Sequence, residues 1–422
     1  MTSHRDPDGP VVIVDPYSSA ALFAPAFHDA GVEVVAVVSA PEPPQVYAAS
    51  YRPDDFGEIV TCTGDPGPVL ARLRELRPRA VLAGCESGVE LADLLAPRVV
   101  PEVANVPGLA GARRHKAEMA AAVATAGLPV IPQICSADAA EIAAWIDRTG
   151  LAGCDLVVKP PKSASTDGVT KVPGGAGWRR VFDSLIGRPN RLGIVNDRLL
   201  VQQFAAGVEY VVDTFSHAGV HTLTDVCRYN KVDNGPYMAV YDTMEWLRPD
   251  DPVIDTLLPY AYGVLDAVGL RYGAAHVELM LTADGPLLIE VGARAHGGGH
   301  PRFCRVATGD SQIDRTVRYF TGAGDLPPRY RLLSHTLVVF HIARASGVLR
   351  NAEVLDAVES LTSHHFSVRH PRNGAYLPMT RDLFASLDFG FAVLTHQRPE
   401  QLRADYETLR RLEGNLLLDA AA

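Results

Sequence analysis

Two glutamates, Glu278 and Glu290, stand in the apolar runs His276-Val277-Glu278-Leu279-Met280 and Leu287-Leu288-Ile289-Glu290-Val291, separated by Thr282-Ala283-Asp284-Gly285. Asp-Gly between two apolar runs is a hairpin signal, so the glutamates fall on facing strands. A lone ionised carboxylate among aliphatic side chains is costly. Two on one face offer the hard oxygens that Mg²⁺ takes, with water and phosphate oxygens completing its shell, and Mn²⁺ is the alternative ion. Taken alone, the hairpin also fits two outward surface glutamates. A second feature points to phosphate. Lys159 ends the apolar run Leu156-Val157-Val158 and precedes a loop of small and hydroxyl residues that includes Ser163, Ser165, Thr166 and Gly168. An ammonium group beside hydroxyls and exposed backbone N–H groups can grip a polyanion. The G-x-x-x-x-G-K-[ST] pattern is absent, so this is no Walker A loop, and a solvated turn is the alternative.

Other residues carry chemistry less specifically. Lys231, in Arg228-Tyr229-Asn230-Lys231, is expected on a polar loop able to fold over a terminal phosphate, or else to be a solvated loop lysine. His276 lies two residues before Glu278 and on a strand shares its face, either contacting a reacting carboxyl group or serving as a structural histidine. His296 and His300 flank Gly-Gly-Gly; without Cys or acidic company in sequence, zinc is a minor reading. Glu86 and Ser87 fall in Gly84-Cys85-Glu86-Ser87-Gly88, where a carboxylate can receive a substrate ammonium group or cap the following helix.

The elements that must position these residues alternate from the start. Val11–Val14, a helical 20–30, Val32–Val38, a helix over 69–76 and a strand over 80–83 predict an open parallel sheet. Its ligands belong beyond the carboxyl ends of its strands, where 15–19 and 84–88 lie. An alanine-rich helix over 113–126 places a boundary near residue 110. Strands at 155–159 and 199–204 follow, then antiparallel strands through 223, a polar loop over 228–236, a helix over 257–268 and the glutamate hairpin. A linker at 325–329 leads to a mixed α/β tail from 332. We therefore expect an N-terminal unit over 1–111, a central unit over 112–322 and a C-terminal unit over 323–422.

Composition bounds the function. Against a typical domain of about 150 residues, a chain of 422 residues allows two to four domains. With 47% hydrophobic and 21% charged residues the chain is globular rather than disordered. A net charge of −10 without a basic patch argues against nucleic acid as a partner. Six singly scattered cysteines suit a reducing cytoplasm. No N-terminal apolar segment and no apolar run approaching the roughly 18 residues of a span argue against secretion and the membrane.

Together with Lys116, Lys159, Glu278 and Glu290, the segment Leu200-Val201-Gln202-Gln203-Phe204-Ala205-Ala206-Gly207-Val208-Glu209 gives an order that resembles the ATP-grasp superfamily over roughly 112–322. The resemblance implies an ATP-grasp core over about 201–322, a small lid over about 112–200 and a pre-ATP-grasp N-terminal sheet. It also implies that Gln202 meets the adenine amino group. Gln203 and Ala205 would offer backbone atoms beside Phe204, and Glu209 would hold the ribose. Lys116 and Lys159 would bind the α- and β-phosphates under the 163–169 loop. An acidic residue is commoner at the Gln202 position, but an amide oxygen also accepts the hydrogen bond. The run Glu290-Val291-Gly292-Ala293-Arg294-Ala295-His296-Gly297-Gly298-Gly299 looks most like the L-amino acid ligases. That places Arg294 on an acyl phosphate and Gly298 near the substrate; Gly292 replaces a frequent Asn ligand. The expected activity is an ATP-dependent carboxylate–amine ligase acting on small molecules, with a homodimer allowed. A carboxylase-type enzyme activating bicarbonate and a nucleotide-binding regulatory protein are the competing readings.

Overall fold

The computed structural model describes residues 8–164, 166–235 and 237–420. Ser165 lies outside the described residues. Val11–Val14, Val34–Val38, Glu58–Thr61 and Ala80–Ala83 form a parallel sheet in the spatial order Glu58, Val34, Val11, Ala80. Its two central strands are β-branched and buried throughout, the pattern of a sheet covered on both faces. The expected 20–30 helix begins instead as a 3₁₀ turn, Ser18–Leu22, and continues as the α-helix Phe23–Asp29. Gly84 and Gly88 are needed at the strand end. A Cβ on either would lie 2.4 or 2.3 Å from the Asp15 or Val14 carbonyl oxygen.

The second sheet is antiparallel, ordered Gln133–Ser136, Leu199–Gln203, Leu156–Lys159, Thr170–Val172, and packs on the helices Ala139–Arg148 and Trp178–Leu185. It carries Lys159 and Gln202 and forms one wall of the site.

The largest sheet has eight antiparallel strands. Starting from one edge they are Gly285–Gly292, Gly273–Thr282, Val208–His217, Val220–Asn234, Tyr237–Trp246, His335–Phe340, Gly390–His396 and His364–Arg369. The helix Pro252–Ala267 buries Leu257, Ala261 and Val264 on one face; Phe303, Cys304 and Ala307 of the helix His300–Thr308 pack on the other. The polar stretch expected as a loop over 228–236 is sheet as far as Asn234. Its polarity misled because part of it is turned inward: Tyr229 and Lys231 line a cavity, and Asn234 is buried with its amide donating to the Ala343 and Thr380 carbonyls. The same sheet crosses residue 323, so the C-terminal segment contributes three of its strands. That segment also holds a small sheet of Tyr376–Leu377, Gly347–Leu349 and Leu418–Asp419.

One buried ion pair ties the N-terminal sheet to the large one. Arg113, fully buried, donates through Nε to Asp93 at 2.8 Å, through Nη1 to the Val268 carbonyl at 2.8 Å, and through Nη2 to the Val106 carbonyl at 3.0 Å. Burial lifts the Asp93 carboxyl above its ordinary range although the guanidinium opposes this. The 2.8 Å geometry identifies the pair as the working contact. Asp93→Ala removes the carboxylate and leaves the guanidinium uncompensated, a loss of about 3–5 kcal/mol. Asp93→Asn keeps an acceptor and should lose less. Urea unfolding checks this, and a parental midpoint for Asp93→Ala would refute it.

Candidate active site

The site lies between the second sheet, the glutamate hairpin and the 163–169 loop, around a cavity of about 250 Å³. Glu278 and Glu290 are directly opposite one another in the antiparallel pairing. Like charges in that position repel, and each is countered. Lys116 Nζ lies 3.0 Å from Glu290 Oε2, and His276 Nε2 lies 2.9 Å from Glu278 Oε1. Burial works against charge on both members of the second pair. The His276 contact nevertheless holds the Glu278 carboxyl down to about 2, and bonds to Asp213 and Glu278 push His276 up to about 9. Two facing carboxylates open to a cavity are a donor set that suits Mg²⁺.

Lys159 is 4% exposed, and its ammonium has no hydrogen-bond or ion-pair partner among the described residues. Burial, then the nearby Lys116 charge, lowers its pKa to about 8 despite the three glutamates around it. A buried cation left unpaired while facing a cavity invites an anionic ligand.

The structure gathers most of the expected residues on this cavity. Lys116, Lys159, Ser163, Thr166, Gln202, Phe204, Ala205, Glu209, Lys231, His276, Glu278, Glu290, Arg294 and Gly298 all line it. Gln203 and Gly168 do not; Gly168 instead turns the loop at φ 71°, where a Cβ would strike Pro160. Lys231 needs correction. It stands on the strand Val220–Asn234, not on a loop, and its ammonium donates to both Glu209 oxygens at 2.7 Å. Burial raises Glu209, with Lys231 opposing.

Glu86 also departs from expectation. Its carboxylate, 2% exposed and off the cavity wall, accepts from Arg294 Nε at 3.0 Å and lies 3.1 Å from Arg114 Nη1. Burial opposes its charge, yet Arg114, Arg294 and Lys116 hold it below the usual carboxylate range. Both oxygens are thus engaged by guanidinium groups, and the residue orients Arg294. Ser87 is likewise occupied, donating to Asp15 at 2.5 Å. Gly292 has a local reason: a Cβ there would lie 3.0 Å from the Arg294 guanidinium carbon.

Sequence reading overlooked Asp213, the centre of a buried network. It accepts from His276 Nδ1 at 3.0 Å and His296 Nδ1 at 2.8 Å, and His300 Nε2 lies 3.0 Å away. The two histidines beside the glycines therefore do have acidic company, with Asp225 and Cys304 close behind. Asp213 engages both histidines, and His300 also meets Asp225. The only sequence signal for Asp213 was an acid inside the apolar Tyr210–Phe215 run.

Comparison with known proteins identifies the family. The family model described as "ATP-grasp domain" matches residues 152–301. Dapdiamide A synthase from Enterobacter agglomerans is 31% identical over 313 residues, 73% of this chain and 72% of that protein. An L-amino acid ligase from Bacillus licheniformis superposes with a TM-score of 0.71 at 17% identity, covering 99% of this chain and 100% of that one. The carboxyaminoimidazole ribonucleotide synthase of Aspergillus clavatus, solved with ATP, gives 0.70 at 14% identity, covering 97% and 99%. The chain belongs to the ATP-grasp superfamily. Within it, this is an ATP-dependent carboxylate–amine ligase that forms a C–N bond and releases ADP.

Lys159 yields a pH prediction. In magnesium-free buffer, ADP affinity should fall as pH rises through about 8, where the free enzyme's Lys159 loses its proton. Lys159→Arg should flatten that fall, and Lys159→Met should weaken binding roughly ten- to a hundredfold at neutral pH. Calorimetric titration of ADP across pH 6.5–9.5 checks all three. An affinity in Lys159→Met equal to the parent's would remove Lys159 from the pocket.

Proposed function

We propose that the enzyme joins the carboxyl group of one amino acid to the amino group of a second, through an acyl phosphate, in the cytoplasm. The observation that carries the reading is the unpartnered, buried Lys159 ammonium facing the Glu278–Glu290 pair across one cavity. A triphosphate supplies the missing anion. Gln202, Phe204 and Ala205 would hold the adenine, and the 163–169 loop, with Ser163 and Thr166, would cover the phosphates. Glu209 would receive the ribose hydroxyls, with Lys231 keeping its carboxylate fixed. Glu278 and Glu290 would hold Mg²⁺, which when bound neutralises phosphate charge.

The carboxylate oxygen of the first substrate attacks the γ-phosphorus and ADP leaves. The amine nitrogen of the second then attacks the acyl carbon, phosphate departs with the C–O bonding pair, and the nitrogen gives up a proton. Arg294, aimed by Glu86, lies on the cavity wall where a guanidinium matches the oxygens of the acyl phosphate and the tetrahedral species. The names of the dapdiamide synthase and the L-amino acid ligase support an amide product. The ribonucleotide synthase, whose name contains a carboxyamino group, keeps a bicarbonate-activating reading open.

Measuring ADP release over amino acid pairs, with product masses, separates the two. The proposal expects amine-dependent release and a product equal to the two amino acids less one water. Release that follows bicarbonate instead would overturn it. Glu278→Gln and Glu290→Gln keep side-chain shape but lose charge, and each should lower turnover at least a hundredfold with an unchanged far-UV spectrum. Parental turnover in both would overturn the metal assignment.

A further inference from the structure

The cavity does not end at the reacting groups. Beyond Arg294 and His296 it continues between the helix His300–Thr308, three strands of the large sheet and the helix Leu383–Phe389, and its character changes. The wall there is Tyr241, Phe303, Phe340, Leu383, Leu387 and Phe391. The rings support one another: Phe303 meets Phe391 edge-on at 5.3 Å between centroids, and Tyr241 meets Phe340 at 5.7 Å. Such contacts fix rotamers, so the walls are set before any ligand arrives. Lys231 lies over the Tyr241 ring at 4.4 Å and marks the border with the charged half.

We propose that this compartment selects the side chain of one amino-acid substrate and that it takes large aliphatic or aromatic side chains. The inference rests on the amide-ligase reading above and gives that reading its substrate class. A charged or amide side chain placed among six apolar walls would lose its hydration without a partner. A methyl group would leave most of the wall uncovered, and each missing methylene in such a pocket lowers a substrate's kcat/KM about 10–200-fold. The helix Leu383–Phe389 forms the adjustable side, because Leu383 and Leu387 are partly exposed whereas Phe303 and Phe340 belong to the core.

The test uses the full chain saturated with Mg²⁺ and ADP, so that binding is read without turnover. Leucine, phenylalanine, alanine and glutamate are titrated calorimetrically, and leucine–alanine mixtures with ATP are then analysed for product. Leucine or phenylalanine should bind at least tenfold tighter than alanine or glutamate. Leu387→Trp, which fills the compartment, should cut the leucine-to-alanine ratio of kcat/KM at least tenfold. Leu387→Ala should move the preference toward phenylalanine. The two substitutions act in opposite directions, so misfolding cannot imitate both. Fragmentation of the product shows whether leucine is the acyl or the amine partner, and either position supports the proposal. Equal binding across the series, or ratios that ignore residue 387, would overturn it. Side-chain-selective binding without any amide product would instead leave the compartment standing and bring down the ligase reading.

Discussion

Repulsion between Glu278 and Glu290 is the constraint on which the rest of the site depends. Directly opposite on paired strands, they must share a cavity edge with Glu209 and stand near the buried acids Asp213 and Glu86. Each acid is answered locally: Glu290 by Lys116, Glu278 by His276, Glu209 by Lys231, Glu86 by Arg294 and Arg114. When these pairs are made, the Lys159 ammonium has no partner among the described residues. An isolated buried ammonium is unfavourable in an apolar wall, and here it faces the cavity where a polyphosphate would lie. The site therefore presents paired carboxylates beside the Lys159 ammonium, which has no partner among the described residues.

Behind this front, the Asp213 network keeps the hairpin and the glycine-rich turn in register. Asp213 sits on the strand Val208–His217, and its three histidine neighbours come from the hairpin and from either side of the glycines. Burial and the flanking charged histidines push His296 down, so it stays neutral and bridges Asp213 to the Tyr229 hydroxyl. Burial opposes charge on His300 as well, but Asp225 and Asp213 push it up to about 9. Alternating charged and neutral rings lets three imidazoles stack at 3.7–3.9 Å without three like charges in contact. The Ser18 and Ser19 hydroxyls accept from the Gly298 and Gly299 amides and fasten the same turn to the N-terminal sheet.

What the sequence disclosed follows from this design. The glutamate hairpin was legible because Asp-Gly and the apolar alternation are local signals, and Lys159 and Gln202 because each ends or occupies a strong strand. The parallel sheet was legible from its unbroken valine runs. The strand through Lys231 was not, since its polar residues face a cavity, and a buried polar lining reads like a loop. The roles of Glu86 and Asp213 were hidden for a different reason. Their partners lie 208 residues away in one case and up to 87 in the other, and no local spacing encodes such contacts. The apolar compartment was invisible in the same way, because its walls come from segments spread from Tyr241 to Phe391.

The two halves of the cavity are also mechanically joined. Arg191 is held by Asp167 of the 163–169 loop, whose carboxylate accepts the Arg191 backbone N–H at 2.7 Å. Its guanidinium reaches across to Asp382 at 3.0 Å and lies 4.6 Å from the Phe384 ring. Asp382 caps the helix Leu383–Phe389 by accepting from the Ala385 amide, so the arginine grips the end of the element that walls the apolar compartment. The 163–169 loop and the helix Leu383–Phe389 thus meet at one arginine, the loop through its backbone N–H and the helix cap through its guanidinium. In a two-substrate ligase this connection has a use, because an activated acyl group must be shielded from water until the second substrate is seated.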